Sequence, residues 1–235
     1  MNAGARVGLL GGTLDPIHVG HVEAATAARR ALDLDRVDVL PSRVPPHRTQ
    51  QPVASGYHRF AMAALAVNGI EGLAASDVEL RAPGPSYTAD TLTRFRETSR
   101  LGASQIFFIT GADAFAEIET WHRYPEVLDL ANFVVVARPG FPVEQLRTLL
   151  PALAIRMTSV GLQASRQPPV ASRQSILLVD APTPDVSSTE IRRRLAAGEP
   201  LTGLVPAAVA RHIAQHGLYT EGAGLFTADH LHDEN

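Results

Sequence analysis

His18 and His21 stand either side of a glycine, a few residues after Gly11-Gly12-Thr13. If the segment that follows is a helix, spacing of i and i+3 puts both imidazoles on one face. They then lie at its N-terminus, where unpaired amides and the macrodipole favour an anion. Gly11 and Gly12 let backbone amides approach a ligand with no Cβ in the way, and Gly20 leaves room for a phosphate. A single histidine at a helix start is ordinarily a cap or a surface group. Two around a glycine, directly after a strand and Gly-Gly-Thr, exceed what folding requires, so the chemistry indicated is nucleotide phosphate binding. The chain has no lysine and no GxxxxGK[ST] sequence, which excludes a P-loop and any Schiff-base mechanism. Phosphate charge must be met by amides, histidine, arginine and a metal ion.

A second phosphate element is SSTEIRRRL, residues 187–195. Ser187-x-x-Glu190 has capping-box spacing, which accounts for those two residues alone. Ser188 and Thr189 add hydroxyls at a helix N-terminus and Arg192 follows one turn on, a set suited to gripping the β and γ phosphates of ATP; Arg193 and Arg194 read as solvated. Gly111-Ala112-Asp113 follows an apolar strand-like run. Asp113 suits a ribose hydroxyl or an adenine-side contact, and from spacing alone it equally suits the N-cap of the next helix. Trp121, the only tryptophan, is flanked by His122 and Arg123; those polar flanks suit a ring with one face open to stack on a pyridine, with core packing the plain alternative.

The elements that must hold these residues alternate between strand and helix. Arg6 to Leu10 is apolar enough for a strand buried on both faces. Asp15-Pro16 keeps Asp15 extended, and Val19 to Leu32 supplies the helix. Further strands are expected at 37–40, 75–80, 105–110, 133–137 and 175–179, with a weaker one at 155–158. Helices are expected at 56–67, 88–99, 143–150, 189–197 and 206–216. Right-handed crossovers between such strands give an α/β fold, a single-domain, Rossmann-like, doubly wound and mostly parallel sheet whose ligands bind beyond the strand C-termini. Residues 1–220 form that domain; 162–173 reads as a surface loop and 221–235 as a disordered tail. The tail's Asp229, His230, His232 and Asp233 can be drawn as a metal site, but a polar terminus explains them.

Composition agrees. The chain of 235 residues is 45% hydrophobic and carries a formal net charge of −3, enough for a full core and against a broad nucleic-acid footprint. The absence of cysteine excludes disulfides, thiolate catalysis and zinc-thiolate sites. No signal-like segment and no apolar run near the ~18 residues of a membrane span is present, so a cytoplasmic protein without membrane contact is expected.

GGTLDPIHVGH, residues 11–21, resembles the signature of the bacterial nicotinate mononucleotide adenylyltransferases, within the nucleotidyltransferase superfamily with an HxGH box. PSRVPPHR (41–48), PSYTADTL (85–92), GADAFAEIETWHRY (111–124), ARPG (137–140), SSTEIRRRL (187–195) and VPAAVARHIAQHGLY (205–219) extend the resemblance in order over about residues 7–219. Leu14 departs from the phenylalanine usual in that family. The resemblance implies that the phosphate of nicotinate mononucleotide attacks the α-phosphorus of ATP, giving nicotinate adenine dinucleotide and pyrophosphate in NAD biosynthesis. It implies His18, His21 and Arg192 as catalytic residues, and an ATP site of Gly11, Gly12, Thr13, His18, Gly20, His21, Gly111, Asp113, Arg138, Ser188, Thr189 and Arg192. Arg138 is expected near the adenine. The mononucleotide falls to Asp15, His47, Arg48, Tyr87, Thr88, Trp121 and His122: the tryptophan meets the nicotinate ring and the amides of Thr88 and His122 its carboxylate. Mg2+ comes with the ATP phosphates and no protein metal site is expected. A homo-oligomer stays open. So do a nicotinamide mononucleotide or phosphopantetheine adenylyltransferase, a nucleotide-sensing module without turnover and, less favoured by charge and length, a tRNA-charging or RNA-binding protein.

Overall fold

The computed structural model describes residues 4–45, 52–162 and 174–220. The expectations for His47 and Arg48, for nearly all of the 162–173 loop and for the 221–235 tail lie outside the described residues. Seven strands, β1 (Val7–Gly12), β2 (Arg36–Pro41), β3 (Leu73–Ala75), β4 (Ile106–Gly111), β5 (Asn132–Val136), β6 (Met157–Val160) and β7 (Ile176–Val179), form one sheet in the order β3-β2-β1-β4-β5-β7-β6. Every pairing within it is parallel. The order reverses between β1 and β4, so the gap beyond their C-terminal ends is where such a sheet opens a ligand crevice.

Helices α1 (Val19–Leu32), α2 (Gly56–Val67), α3 (Thr88–Ser99), α4 (Ala112–Phe115), α5 (Leu146–Leu149), α6 (Ser188–Ala196) and α7 (Ala207–Gln215) cover the two faces. Alternation along the strands divides the core accordingly. Leu10, Val37, Val39, Ile109, Val134 and Val136 pack with Ala25, Ala28, Met62, Ile191 and Val209 on one face. Leu9, Leu40, Phe108, Phe133 and Val135 pack with Leu92, Phe115 and Leu146 on the other.

The helices α1, α2 and α3 fall on the residues expected from periodicity. The third strand does not: β3 covers Leu73–Ala75, and residues 77–81 form a turn in which Arg81 grips the carboxylate of Asp77 and Glu79 points inward. The apolar-polar alternation there reflects a turn with one buried acid rather than a strand. The expected 143–150 helix is split into a 3-10 turn and the single turn of α5.

Candidate active site

The loop from β1 to α1 is held from several sides by buried polar contacts. Asp15 is almost fully buried, and both its oxygens are occupied: Oδ1 accepts from the Ala54 amide at 3.1 Å and the Tyr219 hydroxyl at 2.7 Å, and Oδ2 from the Val53 amide at 2.8 Å. Sequence reasoning set Asp15 against the mononucleotide; here its carboxylate ties the loop to the chain before α2 and after α7. Arg59 is also buried, and its guanidinium donates to the carbonyls of Thr13, Ser42 and Ala54 at 2.8, 2.6 and 3.1 Å. It fastens the end of β1 to the end of β2. Neither Arg59 nor Tyr219 was foreseen as part of the site. Arg59 had a signal, since it falls on the apolar stripe of α2 with Met62, Ala63 and Ala66, a place where an unpaired charge is costly.

His18 is the N-cap of α1 and buried, with its ring centroid 3.7 Å from that of His21. Helix starts leave four amides without helical acceptors, and three are satisfied here. The His18 amide donates to Nδ1 of His21 at 3.3 Å, the Val19 amide to the Leu204 carbonyl at 3.1 Å and the His21 amide to the His18 carbonyl at 3.0 Å. The N-terminus is therefore less open than the sequence suggested, and among the described residues only the Gly20 amide keeps no acceptor. A Cβ at Gly20 would lie 3.1 Å from the His18 ring and 3.2 Å from Val186, so this glycine first makes room for the histidine itself.

Both imidazoles are held neutral. Burial, and then the positive field of Arg138, pull His18 down to about 3, and burial, the neighbouring His18 and Arg138 hold His21 well below the ordinary value. Because Nδ1 of His21 accepts a backbone hydrogen bond, its proton sits on Nε2, which is left as a donor. Nδ1 of His18 is buried without a partner. Arg138, expected beside the adenine, thus acts on the two histidines as well. Its Nε is 3.9 Å from Oδ1 of Asp113 across Gly111, where a Cβ would clash with both side chains. Asp113 is not the N-cap of α4, a place taken by Gly111; it lies in the first turn with an exposed carboxylate.

On the other side of the loop α6 docks through residues the sequence reserved for phosphate. The Ser188 hydroxyl donates to the Pro16 carbonyl at 2.9 Å, and Arg192 donates to the Asp15 carbonyl and, at 3.3 Å, to the Thr189 hydroxyl. Thr189 itself is exposed. Ser187 caps α6 by accepting from the Glu190 amide. The Glu190 side chain does not close the capping box; it pairs with Arg193 and Arg194, which form a surface cluster with Glu199 rather than standing free.

Next to the loop lies a cavity of about 250 Å³ lined by Gly11, Gly12, Thr13, Tyr87, Trp121 and His122, among others. Trp121 is half-buried, edge-on to Phe108 and Phe133 at 6.1 and 6.3 Å, and so takes part in the core while presenting surface to the cavity. The Tyr87 and His122 rings stack at 4.3 Å. Thr88 opens α3, whose N-cap Tyr87 provides no side-chain acceptor; the Asp90 amide is taken by the Tyr87 carbonyl at 3.1 Å, and the Thr88 amide is left uncapped at the cavity wall. Glu79, also unforeseen, is a buried carboxyl in the same wall, bonded to the Thr91 hydroxyl and raised above the usual range by burial.

Comparison with known proteins agrees with this geometry. The cytidylyltransferase-like family model matches residues 9–194. A probable nicotinate-nucleotide adenylyltransferase of Chromohalobacter salexigens is 41% identical over 217 residues, covering 92% of this chain and 96% of its own. That of Thermus thermophilus is 41% identical over 215 residues, covering 91% and 99%. The chain belongs to the nicotinate-nucleotide adenylyltransferase family. Solved structures of the nicotinic acid mononucleotide adenylyltransferase of Plasmodium falciparum share the fold. The complexes with APC and with NaAD superpose with TM-scores of 0.67 and 0.69 at 18% and 17% identity, each covering 92% of this chain and 97% of the other. Among the described residues of this family member, no helix is long and apolar enough to cross a membrane.

Proposed function

We propose that this protein transfers the adenylyl group of ATP to nicotinate mononucleotide, releasing pyrophosphate and forming nicotinate adenine dinucleotide. The observation that carries the reading is the juxtaposition of a neutral, donor-bearing histidine pair at the β1–β4 switch point with an aromatic cavity that opens beside it. A phosphate oxygen of the mononucleotide attacks the α-phosphorus, a new P–O bond forms and the bond to the β-phosphate oxygen breaks. A phosphate monoester has its second pKa near ~6 and is largely ionised already, so no general base is needed. Catalysis then rests on positioning and on stabilising charge at phosphorus and leaving group.

In this reading Nε2 of His21 and the Gly20 amide donate to phosphate oxygens, with Arg138 adding positive field. His18 packs its ring against that of His21 and holds it in place. Arg192, with Ser188 and Thr189 at the start of α6, meets the pyrophosphate end; Gly111 and Asp113 lie toward the nucleoside. Trp121 stacks on the pyridine ring, while the Thr88 and His122 amides donate to its carboxylate. Asp15 acts by fixing the loop. The groups this reading places on the phosphates are imidazole, guanidinium, hydroxyl and amide; Asp15 has both oxygens engaged, and the Asp113 carboxylate lies toward the nucleoside. That set fits Mg2+ arriving on the nucleotide with water as its other ligand. The ion, when bound, neutralises charge on the phosphate oxygens.

The test is turnover of purified protein with ATP and each acceptor, followed by pyrophosphate release. Nicotinate mononucleotide is expected to exceed nicotinamide mononucleotide in kcat/KM by at least about tenfold, because an amide donor facing an NH2 group leaves a buried polar group unpaired at roughly 1–3 kcal/mol. Equal efficiencies would reject carboxylate reading; no pyrophosphate with either would reject the enzyme.

A further inference from the structure

Away from the nucleotide crevice, α2 and α7 bring three imidazoles together. His58 lies in the first turn of α2, His212 in the last turn of α7, and His216 is the α7 C-cap. Their candidate ligating nitrogens all lie within 4.8 Å of one another. Nδ1 of His58 is 3.1 Å from Nε2 of His212, and the ring centroids are separated by 5.3, 4.8 and 4.4 Å. We propose that His58, His212 and His216 form a binding site for one divalent transition-metal ion of the zinc class, clamping α2 to α7.

Zinc–nitrogen bonds of about 2.0–2.1 Å in a tetrahedron set neighbouring ligand atoms about 3.4 Å apart. The His58–His212 edge, at 3.1 Å, is within a few tenths of an ångström of that length. His216 must draw in by roughly 1 Å, and it is exposed at the helix end, where a rotamer change can supply that distance. The spacing of His212 and His216, i and i+4 on one helix, is the arrangement by which a single turn offers two imidazoles to one ion. Among the described residues no carboxylate joins the cluster, so the ligand set selects nitrogen-preferring metals over Mg2+ or Ca2+. Three protein nitrogens leave a fourth position on the solvent side.

The clamp falls where it would matter for the fold. His58 directly precedes Arg59, which holds Thr13 and Ser42, and His216 is three residues before Tyr219, which holds Asp15. An ion here would join the two elements that support the β1–α1 loop, and it depends on none of the assignments made for the reaction.

The test uses tag-free, nucleotide-free protein carrying His230→Ala and His232→Ala, so that histidines of the C-terminal tail cannot contribute. Titration with Zn2+ should show one ion per chain and, at a hundredfold excess over Kd, raise Tm by roughly 5–10 °C; Mg2+ should not. Co2+ should give the visible absorption of a low-coordinate nitrogen site. His216→Ala should leave the metal-free Tm within about 1 °C and weaken metal binding at least about tenfold. His212→Gln should abolish it. No Zn2+-dependent shift and no cobalt band would overturn the proposal, as would a shift that survives in His216→Ala and His212→Gln.

Discussion

The His21 ring receives a hydrogen bond from its own helix start on Nδ1 and so keeps its proton on Nε2, which can donate while uncharged. A neutral donor aimed at charge that develops during transfer acts mainly in the transition state. His21→Ala is therefore expected to lower kcat by ~10²- to 10³-fold while ATP affinity changes little; steady-state kinetics beside ATP binding by calorimetry measures both. A variant with normal turnover and poor ATP affinity would make His21 a binding residue only. His18 has a second consequence, for stability. Its folded value of about 3 lies below the ordinary 6.5, so between those two pH values the unfolded chain binds the extra proton and stability falls as pH falls. The slope from one such group approaches about 1.4 kcal/mol per pH unit. Urea unfolding from pH 7 to 4 should show it, and His18→Gln should flatten it; an unchanged slope would mean that His18 protonates freely in the folded state.

At the scale of elements, the site depends on how loops are tied together. Arg59 connects the residues after β1, after β2 and before α2 by donating to the carbonyls of Thr13, Ser42 and Ala54. Arg59→Met keeps the stem and removes the guanidinium, leaving those acceptors unpaired in the interior. It is expected to destabilise the protein by roughly 2–5 kcal/mol, read as a lower urea midpoint at unchanged m-value. A loss below about 0.5 kcal/mol would show that water replaces the guanidinium without cost. Helices α1 and α3 were predictable to the residue because each carries enough apolar period to set its own limits. The segment 77–81 was not. Its alternation mimics a strand, and only the inward turn of Glu79 to Thr91 distinguishes the two.

For the whole molecule, the reversal of strand order between β1 and β4 places the phosphate residues and the aromatic cavity side by side, with Gly11, Gly12 and Thr13 belonging to both. The proposed function then assigns the two substrates largely separate side chains. Trp121→Ala should raise KM for nicotinate and nicotinamide mononucleotides by similar factors, because stacking does not distinguish acid from amide, and leave ATP affinity nearly intact. Acceptor affinity unchanged in that variant would confine Trp121 to its contacts with Phe108 and Phe133.

The sequence by itself determined the alternation of strands and helices, the parallel sheet and the position of the two histidines at a helix start, because hydrophobic period, glycine and proline act over a few residues. It also marked Ser188, Thr189 and Arg192 as more than a cap. What it could not determine was which polar groups would be used up by one another. Asp15 and Tyr219 are 204 residues apart and share a 2.7 Å hydrogen bond, and Arg138 adds to burial in lowering histidines more than a hundred positions earlier. Such pairings are decided by burial, which removes water as the competing partner, and burial exists only once the sheet has brought distant segments together.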